Sequence, residues 1–329
     1  MLVLSPRSYS LTPTTRADPV TRGKTYHLTR RCDRRLRRLT PDSKVTSIVK
    51  FALFHAAKEC GIEVHAACFS TNHFHLVITD PNGRHPDFMQ RMNSMIARAL
   101  NAQHGVKGHF WGPGSYEKVE LIGFDALLRT LVYVTLNPVK DGLVSSPKAY
   151  PGFLTRPDQV GCTFRAHKPA TAFFGGNRRG GDPTALPEDS TLPDDVELTL
   201  TMPPTHLLPE GMDLAAYRRV YQAAVDARLA EILAERKGRP FLGARRILTA
   251  DPLSPPPTPE PYRPRGERPS PVSGTREECA RWREERTAWR RDYVQARDSW
   301  PEDPRVALPA GSWLLGQRYG APVLAHPSA

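Results

Sequence analysis

The chain has 329 residues, of which 39% are hydrophobic and 33 are proline, with a formal net charge of +12. So much proline and so little apolar content predict a folded unit joined to extended segments rather than one continuous core. The basic excess points to nucleic acid or an anionic membrane surface as partner, and no apolar run approaches the roughly 20 residues of a membrane span.

Residues 1–22 are polar and read as a flexible arm without a secretory h-region. GKTYHLTRR (23–31) alternates as a first strand, and RRCDRRLRR (30–38) then carries six arginines in nine residues: Arg30, Arg31, Arg34, Arg35, Arg37 and Arg38. Thr40 and Pro41 suit the cap and first position of a helix. Val45, Ile48, Val49, Ala52 and Ala56 keep its period, and Gly61 ends it. IEVHAACF (62–69) and HFHLVIT (73–79) read as two strands joined by Ser70-Thr71-Asn72. A helix follows from Pro86 to His104 with Gly105 as its stop, then a strand over 115–122 and a helix over 124–138 ended by Pro138.

That order predicts an α+β fold, a ferredoxin-like split βαβ core with an antiparallel sheet, helices on one face and the other face open. The expected divisions are the arm (1–22), the core (23–150), an irregular loop-like linker (151–205), a helical segment (206–249), a proline-rich linker (250–274) and a C-terminal helical extension (275–329). The stretch 251–274 has nine prolines in 24 residues, which makes a stiff spacer. Within 275–300, Cys279, Trp282, Trp289, Tyr293, Ala296 and Trp300 fall near a helical repeat that Arg286 interrupts, and read as a packing face. The five cysteines are scattered, odd in number and form no CxxC, as expected of reduced thiols in a cytoplasmic protein.

Alternation along the third strand puts Phe74, Leu76 and Ile78 on one face and His73, His75, Val77 and Thr79 on the other. Two imidazoles side by side can chelate one divalent cation, but a lone His-x-His is a weak signal for metal beside exposed or hydrogen-bonded histidines. On the helix over 124–138, Leu127, Leu131 and Val134 share an apolar face that Arg129, Tyr133 and Asn137 do not fit. Tyr133 and Asn137 are one turn apart, either offered to the histidines' site or simply a rim tyrosine and a helix end. Trp111 and Tyr116 can pack or stack on bases, and Arg91, Asn93 and Arg98 form the polar side of the helix over 86–104. His65 and Cys68 raise a structural zinc site as a minor alternative.

NHFHLVIT, HFWGPGSYEKVELI and YVTLNPVKDGLV, in that order over about residues 20–150, resemble the single-tyrosine HUH transposases, the IS200-like and REP-associated tyrosine transposase relatives. The resemblance implies a metal-dependent enzyme that binds single-stranded DNA beside a hairpin, cuts it and rejoins it. It implies that His73 and His75 bind Mg²⁺ or Mn²⁺ with Asn137 as third ligand. It implies that Tyr133 attacks the scissile phosphate to give a 5′-phosphotyrosine and a free 3′-OH. The arginines of 30–38 then become phosphate contacts, which set affinity without reading sequence. Ser70-Thr71 stands where the family often has Met-Pro, and Tyr116 is a competing nucleophile. A cytoplasmic, nucleoid-associated location follows, and some members exchange the last core helix within a homodimer. The alternatives are a domesticated nucleic-acid-binding module that no longer cleaves, and a regulator working through the C-terminal helices.

Overall fold

The computed structural model describes residues 18–170, 173, 192–255 and 270–325. The expectations placed on 1–17, on most of 171–191 and on the proline-rich stretch 256–269 lie outside the described residues.

The core runs β1 (Lys24–Arg31), α1 (Ser43–Cys60), β2 (Glu63–Phe69), β3 (His73–Asp80), α2 (His85–His104), β4 (Glu117–Leu121) and α3 (Phe124–Lys140). The strands line up β2-β3-β1-β4, all antiparallel, the order expected of a split βαβ unit. Asp42, not Thr40, caps α1 by accepting from the Val45 amide at 2.7 Å, while Thr40 folds back onto the Arg37 carbonyl. Gly61 and Gly105 close α1 and α2 in the left-handed conformation that a side chain would strain.

Tyr26, Leu28, Phe74, Leu76 and Ile78 are fully buried, on the sheet face that meets α2 through the Tyr26–His85 ring contact at 4.7 Å. The opposite face is not open, contrary to the simple split βαβ expectation. Helix α3 packs across β2 and β3, and α4 (Leu214–Arg236) packs on α3 in turn. The Tyr221 hydroxyl donates to the Leu131 carbonyl at 3.0 Å and meets the Thr135 hydroxyl at 2.6 Å. The cause is legible in α3, where Val132, Leu136 and Val139 are buried as well as Leu127, Leu131 and Val134. A helix apolar on both sides needs a layer on both sides. Pro138 does not end α3, which continues to Lys140. Proline there leaves the Val134 carbonyl without its usual i+4 donor, while the Pro138 carbonyl accepts from Leu143 at 2.9 Å.

Later segments cover both sheet edges. The region read as loop contains a two-stranded ladder, β5 (Thr163–His167) with β6 (Asp195–Thr199). After β6, the Thr201 amide donates to the Val64 carbonyl at 2.9 Å, along the outer edge of β2. At the other edge β7 (Val272–Ser273) pairs with β4 in parallel, which puts the end of the proline-rich stretch into the sheet. Covering an edge in this way blunts it as a template for pairing with another chain. Beyond the short α5 (Ala244–Leu248), α6 (Arg276–Ser299) packs beside β4: the Trp282 indole donates to Glu120 at 2.8 Å. Arg286, which breaks the aromatic stripe, is buried and paired with Asp18 at 2.6 Å. Tyr293 and Trp300 form a second small cluster with Leu308 and Leu315, from the segment that includes α7 (Trp313–Tyr319). Among the described residues no helix is long and apolar enough to cross a membrane.

Candidate active site

The α3-facing side of the sheet is polar at its centre. β1 contributes Thr25 and His27, β2 contributes His65 and Cys68, and β3 contributes His73, His75 and Thr79. All are buried except His27, which is partly so. Buried polar groups need partners, and these hold one another: Thr25 to Thr79 at 2.7 Å, His65 to Thr79 at 2.7 Å, and His27 Nε2 to His75 Nδ1 at 3.0 Å. A bulge between Val64 and Ala66 turns His65 out of the regular ladder. Its other ring nitrogen meets the Thr201 carbonyl and hydroxyl, so it is spoken for and does not join Cys68 in a zinc site.

His73, His75, Tyr133 and Asn137 come together here. The rings of His73 and His75 lie 4.9 Å apart, and the Tyr133 hydroxyl is 3.5 Å from His75 Nε2, the outer limit of a hydrogen bond. Asn137 is buried and receives the Cys68 thiol at 3.9 Å. Asn72, just before the histidine pair, has two roles. Its amide nitrogen donates to the Arg35 carbonyl at 3.1 Å, and its oxygen lies 2.7 Å from His73 Nδ1. An amide oxygen only accepts, so His73 carries a proton on Nδ1.

The electrostatics favour neutral imidazoles and a protonated phenol. Burial holds His75 well below the usual histidine range, with the charges of His73, His27, Arg31 and Lys140 acting in the same direction. Burial alone brings His27 down to about 4. Burial and then the Asp141 carboxylate raise Tyr133, against the lowering influence of Arg31 and Asn137. The Lys140 ammonium sits 4.8 Å from the centre of the Tyr133 ring.

A cleft of about 450 Å³ opens from this group, lined by His73, Tyr133 and Asn137 together with Arg31, Arg35, Arg37 and Lys140. The arginine run therefore divides. Arg31, Arg35 and Arg37 face the cleft. Arg34 is exposed. Arg38 is buried, donates to the His109 carbonyl at 2.7 Å and lies over Phe110, as a structural residue would. Arg30 is on the other face of β1, over Trp111 and donating to the Gly114 carbonyl at 3.2 Å. Arg34 and Arg35 both adopt positive φ, 49° and 58°, a conformation uncommon outside glycine, with Asn72 bonded to the second of them.

Two other candidates fall away from the site. Tyr116 packs toward His85 on the α2 side, its ring centre 6.4 Å from that imidazole, with its hydroxyl pushed up by burial. Trp111 is buried and donates to the Asn93 carbonyl at 2.9 Å, and Asn93 is buried as well. Among the described residues no group of three or more His, Cys, Asp or Glu is placed to hold a metal ion. A site here would depend on the two imidazoles and an amide oxygen, donors that suit Mn²⁺, or Mg²⁺ with water completing the shell. Sequence reasoning missed His27, although its place two residues from Thr25 and Thr29 on an alternating strand puts it on the histidine face. It also missed Asn72 as the anchor of His73.

Residues 21–120 match the family described as IS200-like transposases. Among solved structures, the chain resembles a REP-associated tyrosine transposase bound to a REP hairpin, at 18% identity over 53% of this chain and 96% of that one, with a TM-score of 0.38. It also resembles a protein assigned as a transposase from Deinococcus radiodurans R1, at 22% identity over 32% of this chain and 85% of that one, with a TM-score of 0.26. Among curated proteins no sequence matches. The family match bears out the resemblance read from the sequence motifs. It contains His73 and His75 and ends before α3, so the case for Tyr133 and Asn137 stands on geometry.

Proposed function

From the match of residues 21–120 to the IS200-like transposases, we propose that this protein is a transposase that cuts and rejoins single-stranded DNA beside a hairpin, with Tyr133 as nucleophile. The observation that carries the reading is the 3.5 Å approach of the Tyr133 hydroxyl to His75 within a cleft walled by arginines. His73, His75 and Asn137 would hold a divalent cation, Mg²⁺ or Mn²⁺. When bound, that ion neutralises the charge on the scissile phosphate and helps orient it.

The chain's own groups do the rest. Arg31, Arg35 and Arg37 draw the phosphate backbone into the cleft without selecting sequence. Tyr133 is held by the rigid α3, with Asn137 one turn on and Lys140 against its ring. The Tyr133 oxygen forms a bond to phosphorus as the bond from phosphorus to the 3′-oxygen breaks. The phenol gives up its proton and the leaving 3′-oxygen gains one. The product is a 5′-phosphotyrosine and a free 3′-OH, and attack by a 3′-OH on that linkage rejoins DNA without an external energy source. The raised tyrosine value means that the phenol needs help to ionise, which Arg31 and Asn137 supply in part.

The test is to incubate the protein with Mn²⁺ and labelled hairpin oligonucleotides from the DNA flanking its gene, and to look for a denaturant-resistant adduct. Wild type should form it, and Tyr133→Phe and His73→Ala should not. Tight binding with no adduct from any oligonucleotide would instead favour a module that binds without cleaving.

A further inference from the structure

Tyr133 stands between two clefts. Beyond the arginine-lined one, a second of about 350 Å³ lies on its other side, where His27, Arg129 and Thr130 meet Ser270 and Ser273. Arg129 and Thr130 precede Tyr133 by four and three residues, so they share its flank of α3. Along that flank Arg129, Tyr133, Asn137 and Lys140 span twelve residues, about 16 Å of helix. A cation thus stands at each end of the row, with the candidate nucleophile between them.

The second cleft has a wall from far along the chain. The Glu120 amide donates to the Pro271 carbonyl at 2.9 Å, and the Ile122 amide to the Ser273 carbonyl at 2.7 Å. This fixes the Ser270–Ser273 edge opposite Arg129. Arg129 is exposed and has no carboxylate partner among the described residues. An unpaired guanidinium beside a serine-bearing edge suits a phosphodiester backbone. A strand cut at its interior must continue on both sides of the scissile phosphate, and the two clefts lie on either side of Tyr133.

We propose that this second cleft is a subsite for the DNA strand on the side of the scissile phosphate away from Arg31, Arg35 and Arg37. Arg129 is its phosphate contact and the Ser270–Ser273 edge its wall. The assignment rests on Tyr133 marking the point of attack.

Binding and cleavage are measured separately so that the two ideas can fail independently. In the full chain carrying Tyr133→Phe, fluorescence anisotropy gives the affinity for hairpin oligonucleotides whose 5′ or 3′ arm is lengthened stepwise with thymidines. Affinity should rise as either arm grows. Adding Arg129→Glu should erase the rise for one arm, a loss of roughly fivefold or more, and leave the other arm's rise in place. The dependence of log affinity on log salt should become shallower by about 0.7. Ser270→Trp, which fills the cleft from an exposed position, should erase the rise for the same arm. If Arg129→Glu weakens short and long oligonucleotides equally, or neither, or if the two variants act on opposite arms, the subsite is wrong. Adducts formed by Tyr133-intact protein without an Arg129-dependent arm would sink the subsite and keep the transposase reading. The reverse pattern would keep the cleft and sink cleavage.

Discussion

On the α2 side of the sheet, Tyr26, Leu28, Phe74, Leu76 and Ile78 are fully buried, and the buried His85 there is paired with Asp80 at 2.8 Å. On the α3 side the same strands carry Thr25, His27, His65, His73, His75 and Thr79. Both faces lie under helices, yet they solve burial differently. The first removes apolar area from water, which tolerates approximate partners. The second must match donor to acceptor, which fixes each ring's orientation. The two buried histidines make the point. In Asp80, burial raises the carboxyl, but the His85 ring and the Arg84 and His85 amides outweigh it and hold the group below the usual range. The carboxylate thus makes His85 part of a structural pair. His75 has a second imidazole and a phenol as its partners, and burial holds it well below the usual histidine range. Burial lowers His85 as well, so charge does not separate the two rings; their neighbours do, a carboxylate for His85 and the Tyr133 phenol for His75.

Substitutions on each face should separate these roles. The largest effect expected is on chemistry: Tyr133→Phe should reduce adduct formation to background, with a thermal midpoint close to wild type. Phe74→Ala, on the other face of the sheet, should instead destabilise the fold by about 3–5 kcal/mol in denaturant unfolding. If Phe74→Ala removed the adduct and left stability alone, the division of labour between the faces would be wrong.

The polar face should also be acid-sensitive. His65 is fully buried, and burial, partly offset by the Thr201 carbonyl, lowers it to about 4. The unfolded chain binds that proton near pH 6.5 and the folded chain only near 4. Stability from this group is therefore complete above pH 6.5 and is lost as pH falls toward 4, by on the order of 3 kcal/mol. Unfolding free energies between these pH values should show a slope that His65→Gln reduces by close to one proton; an unchanged slope would contradict it. The smallest effect expected belongs to His27, a positioning residue that acts through His75. His27→Ala should weaken Mn²⁺ binding, read by titration calorimetry, by about 10- to 100-fold. His27→Gln, which keeps an acceptor, should restore most of it. Equal losses in both variants would mean that His27 only packs.

Much of this was legible in the sequence, for reasons that can be named. The core elements announce themselves by period, and by glycines such as Gly61 and Gly105 that end α1 and α2. The strand alternation in HFHLVIT put the histidines on the right face. What escaped depends on partners distant in sequence. Each strand of the β5–β6 pair has only two apolar residues, and the pairing spans about thirty residues, so no local pattern marks it. β7 is two residues at the end of a proline-rich run. The covering of the histidine face by α3 was foreshadowed by a helix apolar on two sides, but its outer partner, Tyr221 of α4, lies 86 residues beyond Thr135. The arginine run was read as one patch, whereas the alternation of β1 sends Arg30 to the face opposite the site.

The central claim is that the polar face assembles the nucleophile, and peptide mapping tests it most directly. Wild-type protein is incubated with Mn²⁺ and the hairpin oligonucleotides, trapped by denaturation and digested with protease and nuclease, and the modified peptide is sequenced by mass spectrometry. The account predicts a nucleotide remnant on Tyr133 and nowhere else. A remnant on Tyr116, which lies on the α2 side of the sheet, would contradict it, as would the absence of any modified tyrosine.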